Sequence, residues 1–122
     1  MIEVELPFPP SVNHYYRHVG PRTLISREGR RFRENVASVL AGLGVQPLAG
    51  PLDVEVGVFP PDRRRRDLDN CLKSLIDAIQ HGGAYEDDSQ IVRLVIEKRE
   101  VFPGGRVIVT IGRHRAQEGP DA

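Results

Sequence analysis

Eleven consecutive residues, Arg63-Arg64-Arg65-Arg66-Asp67-Leu68-Asp69-Asn70-Cys71-Leu72-Lys73, carry most of the side chains that phosphate chemistry needs. Guanidinium forks match phosphate oxygens two at a time. Asp67 and Asp69 stand two residues apart at a strand-to-helix junction, so both carboxylates can converge near the helix start. A purely structural role competes: Asp67 is a good N-cap, and Asp69 suits the positive end of a helix dipole. A second acidic loop, Tyr85-Glu86-Asp87-Asp88, follows a helix that turns the chain back. Carboxylates arriving from separate elements repel one another unless a cation sits between them. Hard oxygen ligands without a convergent His or Cys favour Mg²⁺ or Mn²⁺ over zinc, even though His14 and His18 lie four residues apart.

Lys73 falls one helical turn after Asp69. It reads either as an i,i+4 ion pair or as a positive group beside the scissile phosphate, stabilising charge there. Cys71 reads as a small packing residue rather than a nucleophile. Taken together, the ordered set spells metal-dependent phosphodiester hydrolysis.

The net charge of zero, 17 basic against 17 acidic residues, conceals a separation into blocks. Six arginines face the single acid Glu28 between Arg17 and Arg33, and six acids face the single base Lys73 between Asp67 and Asp88. Such blocks cancel on paper but not in space, so a polyanionic partner stays open. Arg63 to Arg66, directly before Asp67, are expected to grip a nucleic-acid backbone. Tyr15 and Tyr16 lie beside Arg17, where one can stack on an unpaired base while the other packs over the sheet.

The elements that must position these groups follow from periodicity. Ile2, Val4, Leu6 and Phe8 alternate with polar residues or proline, the pattern of a half-buried strand. Residues 11–25 read as irregular. Ser26 is a plausible N-cap, followed by the stripe Phe32, Val36, Val39, Leu40 and Leu43, with Gly44 closing the helix. Val54, Val56 and Val58 mark a second strand. Asp67 then reads as the N-cap of a helix with the stripe Leu68, Leu72, Leu75, Ile76 and Ile79, ended by Gly82 and Gly83. Residues 91–101 predict a long strand, and Pro103-Gly104-Gly105 a turn that returns Arg106 to Ile111 as its hairpin partner. The order β-α-β-α-β-β predicts an α+β, two-layer sandwich: a small mixed sheet with two helices on one face.

A chain of 122 residues suits one domain, here 1–112, with 113–122 expected to be a disordered tail. A lone cysteine, no apolar run of membrane-spanning length and no secretion-signal pattern at the start predict a cytoplasmic protein.

The ordered motifs resemble the RusA-type Holliday junction resolvases over about residues 4–111. The resemblance rests on Pro7-Phe8-Pro9-Pro10-Ser11, Asn13-His14-Tyr15-Tyr16-Arg17, Arg63 to Arg66, Asp67-Leu68-Asp69-Asn70, Lys73, Tyr85-Glu86-Asp87-Asp88 and Gly104-Gly105-Arg106. It implies a homodimeric, nucleoid-associated endonuclease that nicks four-way DNA junctions in recombination and repair, without a membrane or a small-molecule cofactor. By position it assigns Mg²⁺ to Asp67, Asp69 and Asp88, matches Lys73 to an essential lysine, and leaves Asn70 and Asp87 in support. Two rival readings remain: a metal-dependent nuclease acting on other branched DNA or RNA, and a non-catalytic module that binds junctions. The second has no need of Asp67, Asp69, Asp88 and Lys73 together.

Overall fold

Alternation of buried and solvent-facing residues builds the sheet. The computed structural model describes residues 1–115. Strand β1 (Ile2–Pro7) buries Val4 and Leu6 while Glu3, Glu5 and Pro7 face outward. A short helix α1 (Val12–Tyr15) leads into a two-stranded ribbon, β2 (Tyr16–Val19) and β3 (Arg22–Ile25). Helix α2 (Arg27–Gly42) follows, then strand β4 (Leu52–Phe59) and helix α3 (Asp69–His81). A 3₁₀ turn at Asp88–Gln90 precedes β5 (Ile91–Lys98), and β6 (Arg106–Arg113) completes the fold.

The main sheet has the order β1-β6-β4-β5. Strands β1 and β4 each run antiparallel to β6, whereas β4 and β5 are parallel, which makes the sheet mixed. Phe32, Val36 and Leu40 from α2, with Leu75, Ala78 and Ile79 from α3, pack on its buried face. The architecture is the expected two-layer α+β sandwich. The opposite face carries ion pairs, among them Arg93 with Glu55 at 2.9 Å and Arg106 with Glu5 at 3.2 Å.

Local chemistry sets the helix ends. The Ser26 hydroxyl accepts from the Gly29 amide at 2.9 Å and so caps α2. At the other end Gly44, at φ +68°, donates to the Ala41 carbonyl, and Val45 donates to that of Leu40. Gly83 and Ala84 repeat the arrangement on Gln80 and Ile79 at the end of α3. Both ends are Schellman motifs, which only a residue tolerant of positive φ closes cheaply.

Four sequence expectations change. Residues 11–25 are ordered as α1 and the β2–β3 ribbon. Strand β6 is not the hairpin partner of β5: residues 99–105 cross the end of β4, with Arg99 donating to the Val58 carbonyl and Phe102 to that of Pro60, and β6 enters between β4 and β1. The reason is burial. Val107, Val109 and Ile111 are wholly buried and need a central place, whereas β5 carries exposed Val92 and Leu94 and takes the edge. Asp67 does not cap α3 with its side chain; the helix starts at Asp69, and only the Asp67 carbonyl takes part, accepting from the Asn70 amide. Finally, Arg113 belongs to β6, and His114 is anchored through the Pro51 carbonyl and Asp53; the remainder of the expected tail, 116–122, lies outside the described residues.

Candidate active site and nucleic-acid interface

The run of four arginines is not uniform. Pro60 and Pro61 end β4, and Asp62 then organises the turn: its carboxylate accepts from the Arg64 amide at 2.9 Å and from both terminal nitrogens of Arg66 at 2.7 and 3.2 Å. The Arg66 guanidinium, followed by the Arg64 amide, holds the Asp62 carboxyl well below the usual carboxylate range. Arg66 is thus drawn inward, while Arg63, Arg64 and Arg65 project into solvent. In the sequence Asp62 follows two prolines, and a carboxylate four residues before Arg66 is the available signal.

Asp67, Asp69, Asn70 and Lys73 are all exposed around the start of α3. Among the described residues Asp69 and Lys73 form no ion pair. Instead the Lys73 Nζ lies 5.5 Å from the centre of the Tyr16 ring, which meets the Tyr15 ring edge-on at 4.9 Å. Tyr15 is the member of the pair that packs inside, and Tyr16 is half-buried beside exposed Arg17 on β2.

Beneath this surface lies a polar lock that sequence reasoning missed. The buried Tyr15 hydroxyl donates to Asp77, and Arg33 donates to the Tyr15 oxygen at 2.8 Å and to Asp77 at 2.7 and 3.0 Å. Burial, reinforced by Asp77, pushes the Tyr15 hydroxyl far above its ordinary value. Asp77 falls one turn beyond Lys73, so the lock ties α1 and α2 to the helix that carries the lysine. Its signal is an acid set between Ile76 and Ala78 in an otherwise apolar stripe. Cys71 is buried and its Sγ donates to the Leu68 carbonyl; burial raises its thiol, in keeping with a packing role.

The second acidic loop is built differently. Asp87 caps the 3₁₀ turn by accepting from the Ser89 amide at 3.0 Å, which holds its carboxyl below the ordinary value, while the Gln90 amide oxygen accepts from the Asp87 and Glu86 backbones. Asp88 is exposed, and its amide donates to the Gln80 side chain near the end of α3. This places it far from its expected companions. Strands β4 and β5 are parallel, so α3 runs back between them, with Asp67 and Asp69 at one end and Asp88 at the other. Thirteen helical residues span about 20 Å. Lys98, at the far end of β5, donates to the Arg66 carbonyl and marks the same separation along the strand. Among the described residues no three His, Cys, Asp or Glu side chains gather closely enough to hold one ion.

A guanidinium-lined turn leading into exposed carboxylates and a lysine, on a small α+β sandwich, defines a surface suited to a polyphosphate backbone. The family model described as endodeoxyribonuclease RusA matches residues 7–112. The chain is 45% identical over 109 residues to a crossover junction endodeoxyribonuclease of Enterobacteria phage 82, and 43% identical over 109 residues to those of Escherichia coli K12 and Shigella sonnei strain Ss046. Each comparison covers 88% of this chain and 91% of the relative. The chain belongs to the RusA family of endodeoxyribonucleases, enzymes that cut DNA at crossover junctions.

Proposed function

We propose that this protein resolves four-way DNA junctions by paired symmetric nicks, and that its active site is shared between two subunits. One observation carries the second part: Asp67 and Asp69 lie at the opposite end of α3 from Asp88. The three side chains are oxygen donors of the kind Mg²⁺ takes, with Mn²⁺ an alternative, but one chain offers them as two plus one. An antiparallel approach of two β5 edges about a two-fold axis removes the discrepancy. It sets Asp88 of the partner subunit beside the Lys98 end of β5, where Asp67 and Asp69 stand. Strand β5 is suited to this: its outer edge is unpaired among the described residues, and exposed Val92 and Leu94 adjoin half-buried Ile76 and Ile91 along it. Two-fold symmetry then supplies two equivalent sites for two strands.

In this arrangement Asp67 and Asp69, with Asp88 of the partner subunit, would hold the cation. Such an ion, when bound, offsets phosphate charge and lowers the pKa of an attacking water. Lys73, in no ion pair among the described residues, stabilises charge on the departing oxygen. Arg63, Arg64, Arg65 and Arg17 hold the backbone, Arg66 shapes the turn they sit on, and Tyr16 offers a ring beside the lysine. Asn70 faces the same surface, and Asp87 fixes the loop of Asp88. A DNA substrate of this kind supports a location in the cytoplasm, at the nucleoid.

Cleavage of a synthetic four-way junction and a matched linear duplex, in Mg²⁺ and then in EDTA, tests the reading. Paired nicks in the junction alone, lost in EDTA and in Asp67→Asn, are expected. Binding without cutting in every divalent metal would return the protein to the class of non-catalytic junction binders.

A further inference from the structure

Beside Asp67 a cavity of about 560 Å³ opens between the Pro7–Ser11 segment, α2 and the start of α3. It falls within the range of pockets that hold small ligands, roughly 300–1,000 Å³. Three features of its lining point in one direction. Phe8, Phe32, Val58, Pro60 and Leu68 give it an apolar floor. Arg31, Arg64 and Lys98 bring positive charge to it, beside the carboxylates of Glu28 and Asp67, while the Arg66 guanidinium is held by Asp62. The exposed amides Asn35 and Asn70, each with a donor and an acceptor, line it as well. A flat, apolar face, an edge of alternating donors and acceptors, and flanking negative charge are the attributes of a nucleotide.

The cavity is also held open in advance. The buried Ser74 hydroxyl donates to the Pro10 carbonyl at 2.6 Å and fixes the Pro7–Ser11 wall against α3. Phe8 is backed so closely by Gly105 that a Cβ there would lie 2.8 Å from the Phe8 Cβ. This accounts for a motif that phosphate chemistry leaves unused.

We infer that the cavity seats one unstacked base of the junction, drawn out of the duplex next to the phosphate to be cut. The inference rests on the reading that junction DNA is the substrate, and deepens it. Bases at a branch point cost least to extrude, so such a pocket selects branched over linear DNA and gives the cut a sequence preference. Arg31, Arg64 and Lys98 then carry the phosphates on either side of the extruded nucleotide.

The test uses junctions with 2-aminopurine at each position flanking the crossover, bound by the protein in EDTA so that nothing is cut. One position next to the nick is expected to brighten about threefold over the free junction. Asn35→Phe, at an exposed position on α2, fills the mouth of the cavity and is expected to abolish that rise. In Mg²⁺ the variant should nick the intact junction about tenfold more slowly, yet match the unaltered protein when the same nucleotide is abasic. A misfolded variant would be slow on both substrates, which the abasic junction reveals. An unaltered protein that nicks the junction while every probe stays at free-junction brightness overturns the inference and leaves the function standing. Retention of the full rise in Asn35→Phe overturns it as well. Failure of the unaltered protein to nick any junction rejects the function, and the base pocket with it.

Discussion

The ammonium of Lys73 rests 5.5 Å from the centre of the Tyr16 ring and is not neutralised by Asp69, its neighbour one turn away on α3. A cation held by a π face keeps its charge available, whereas a carboxylate would cancel it. Lys73→Ala is therefore expected to lower the nicking rate by about 10²–10³, with junction affinity changed by only a few-fold. Tyr16→Leu should cost much less, about tenfold. Single-turnover cleavage with saturating protein separates these effects from binding. A Lys73→Ala variant that cuts at the normal rate would remove the lysine from the chemistry.

The arginines ahead of Asp67 divide into two groups with different signatures. Arg63 and Arg65 project into solvent, so replacing either with alanine should weaken binding to any sequence and reduce the salt slope of log K by about 1. Arg66 is bound to Asp62 through two nitrogens and serves the shape of the turn. Arg66→Ala should also slow cleavage at saturating protein, because the segment entering α3 loses its clamp. Fluorescence anisotropy at several salt concentrations, run beside cleavage, distinguishes the two. Equal slopes for Arg65→Ala and the unaltered protein would place Arg65 off the DNA.

Tyr15, Arg33 and Asp77 lock three helices through hydrogen bonds that are largely screened from water. Tyr15→Phe removes the hydroxyl that bridges Arg33 and Asp77 while Arg33 still holds Asp77, and should cost about 1–2 kcal/mol in urea unfolding. Asp77→Ala strands both a hydroxyl and a guanidinium and should cost more, about 2–3 kcal/mol. Burial and the bond to Asp77 raise the Tyr15 hydroxyl, and burial raises that of Tyr85. For a raised group the sign is fixed: its stabilisation is complete below the unfolded value near pH 10 and is lost as pH climbs toward the folded one. With the buried Cys71 thiol raised as well, the unfolding midpoint should thus hold from about pH 7 to 8 and fall above, most steeply beyond about pH 10, where Tyr15 and Tyr85 ionise only as the protein unfolds. Titration of Tyr15 near pH 10 in the folded state would contradict the lock.

Most elements are legible in the sequence because each has a local cause. Ser26 caps α2, glycines close both long helices, and the alternation in β1 and β4 reports one buried face. The order of strands is less accessible. A proline-glycine turn between two apolar segments reads as a hairpin, and only the total burial of Val107, Val109 and Ile111 shows that β6 belongs between β1 and β4. The candidate site residues stand out by type and spacing, but how the fold arranges them does not. A helix that turns the chain back suggests that it returns Asp88 to Asp67, whereas the parallel pairing of β4 and β5 leaves Asp88 at the far end of α3. Asp62 and Asp77 are hidden among other charges, since a carboxylate that clamps an arginine has the same residue type as one that takes a metal.

The shared active site is tested most directly by mixing two inactive variants. Asp69→Asn and Asp88→Asn should each bind junctions without nicking them. After subunit exchange, a mixed dimer holds one site built from the intact Asp69 of one subunit and the intact Asp88 of its partner, and a second site lacking both. Equal amounts of the two variants should recover single nicks at about a quarter of the unaltered activity, since half the dimers are mixed and each has one working site. If the exchanged mixture stays as inactive as its parents, each site draws all three aspartates from one chain, and the two-subunit active site is refuted.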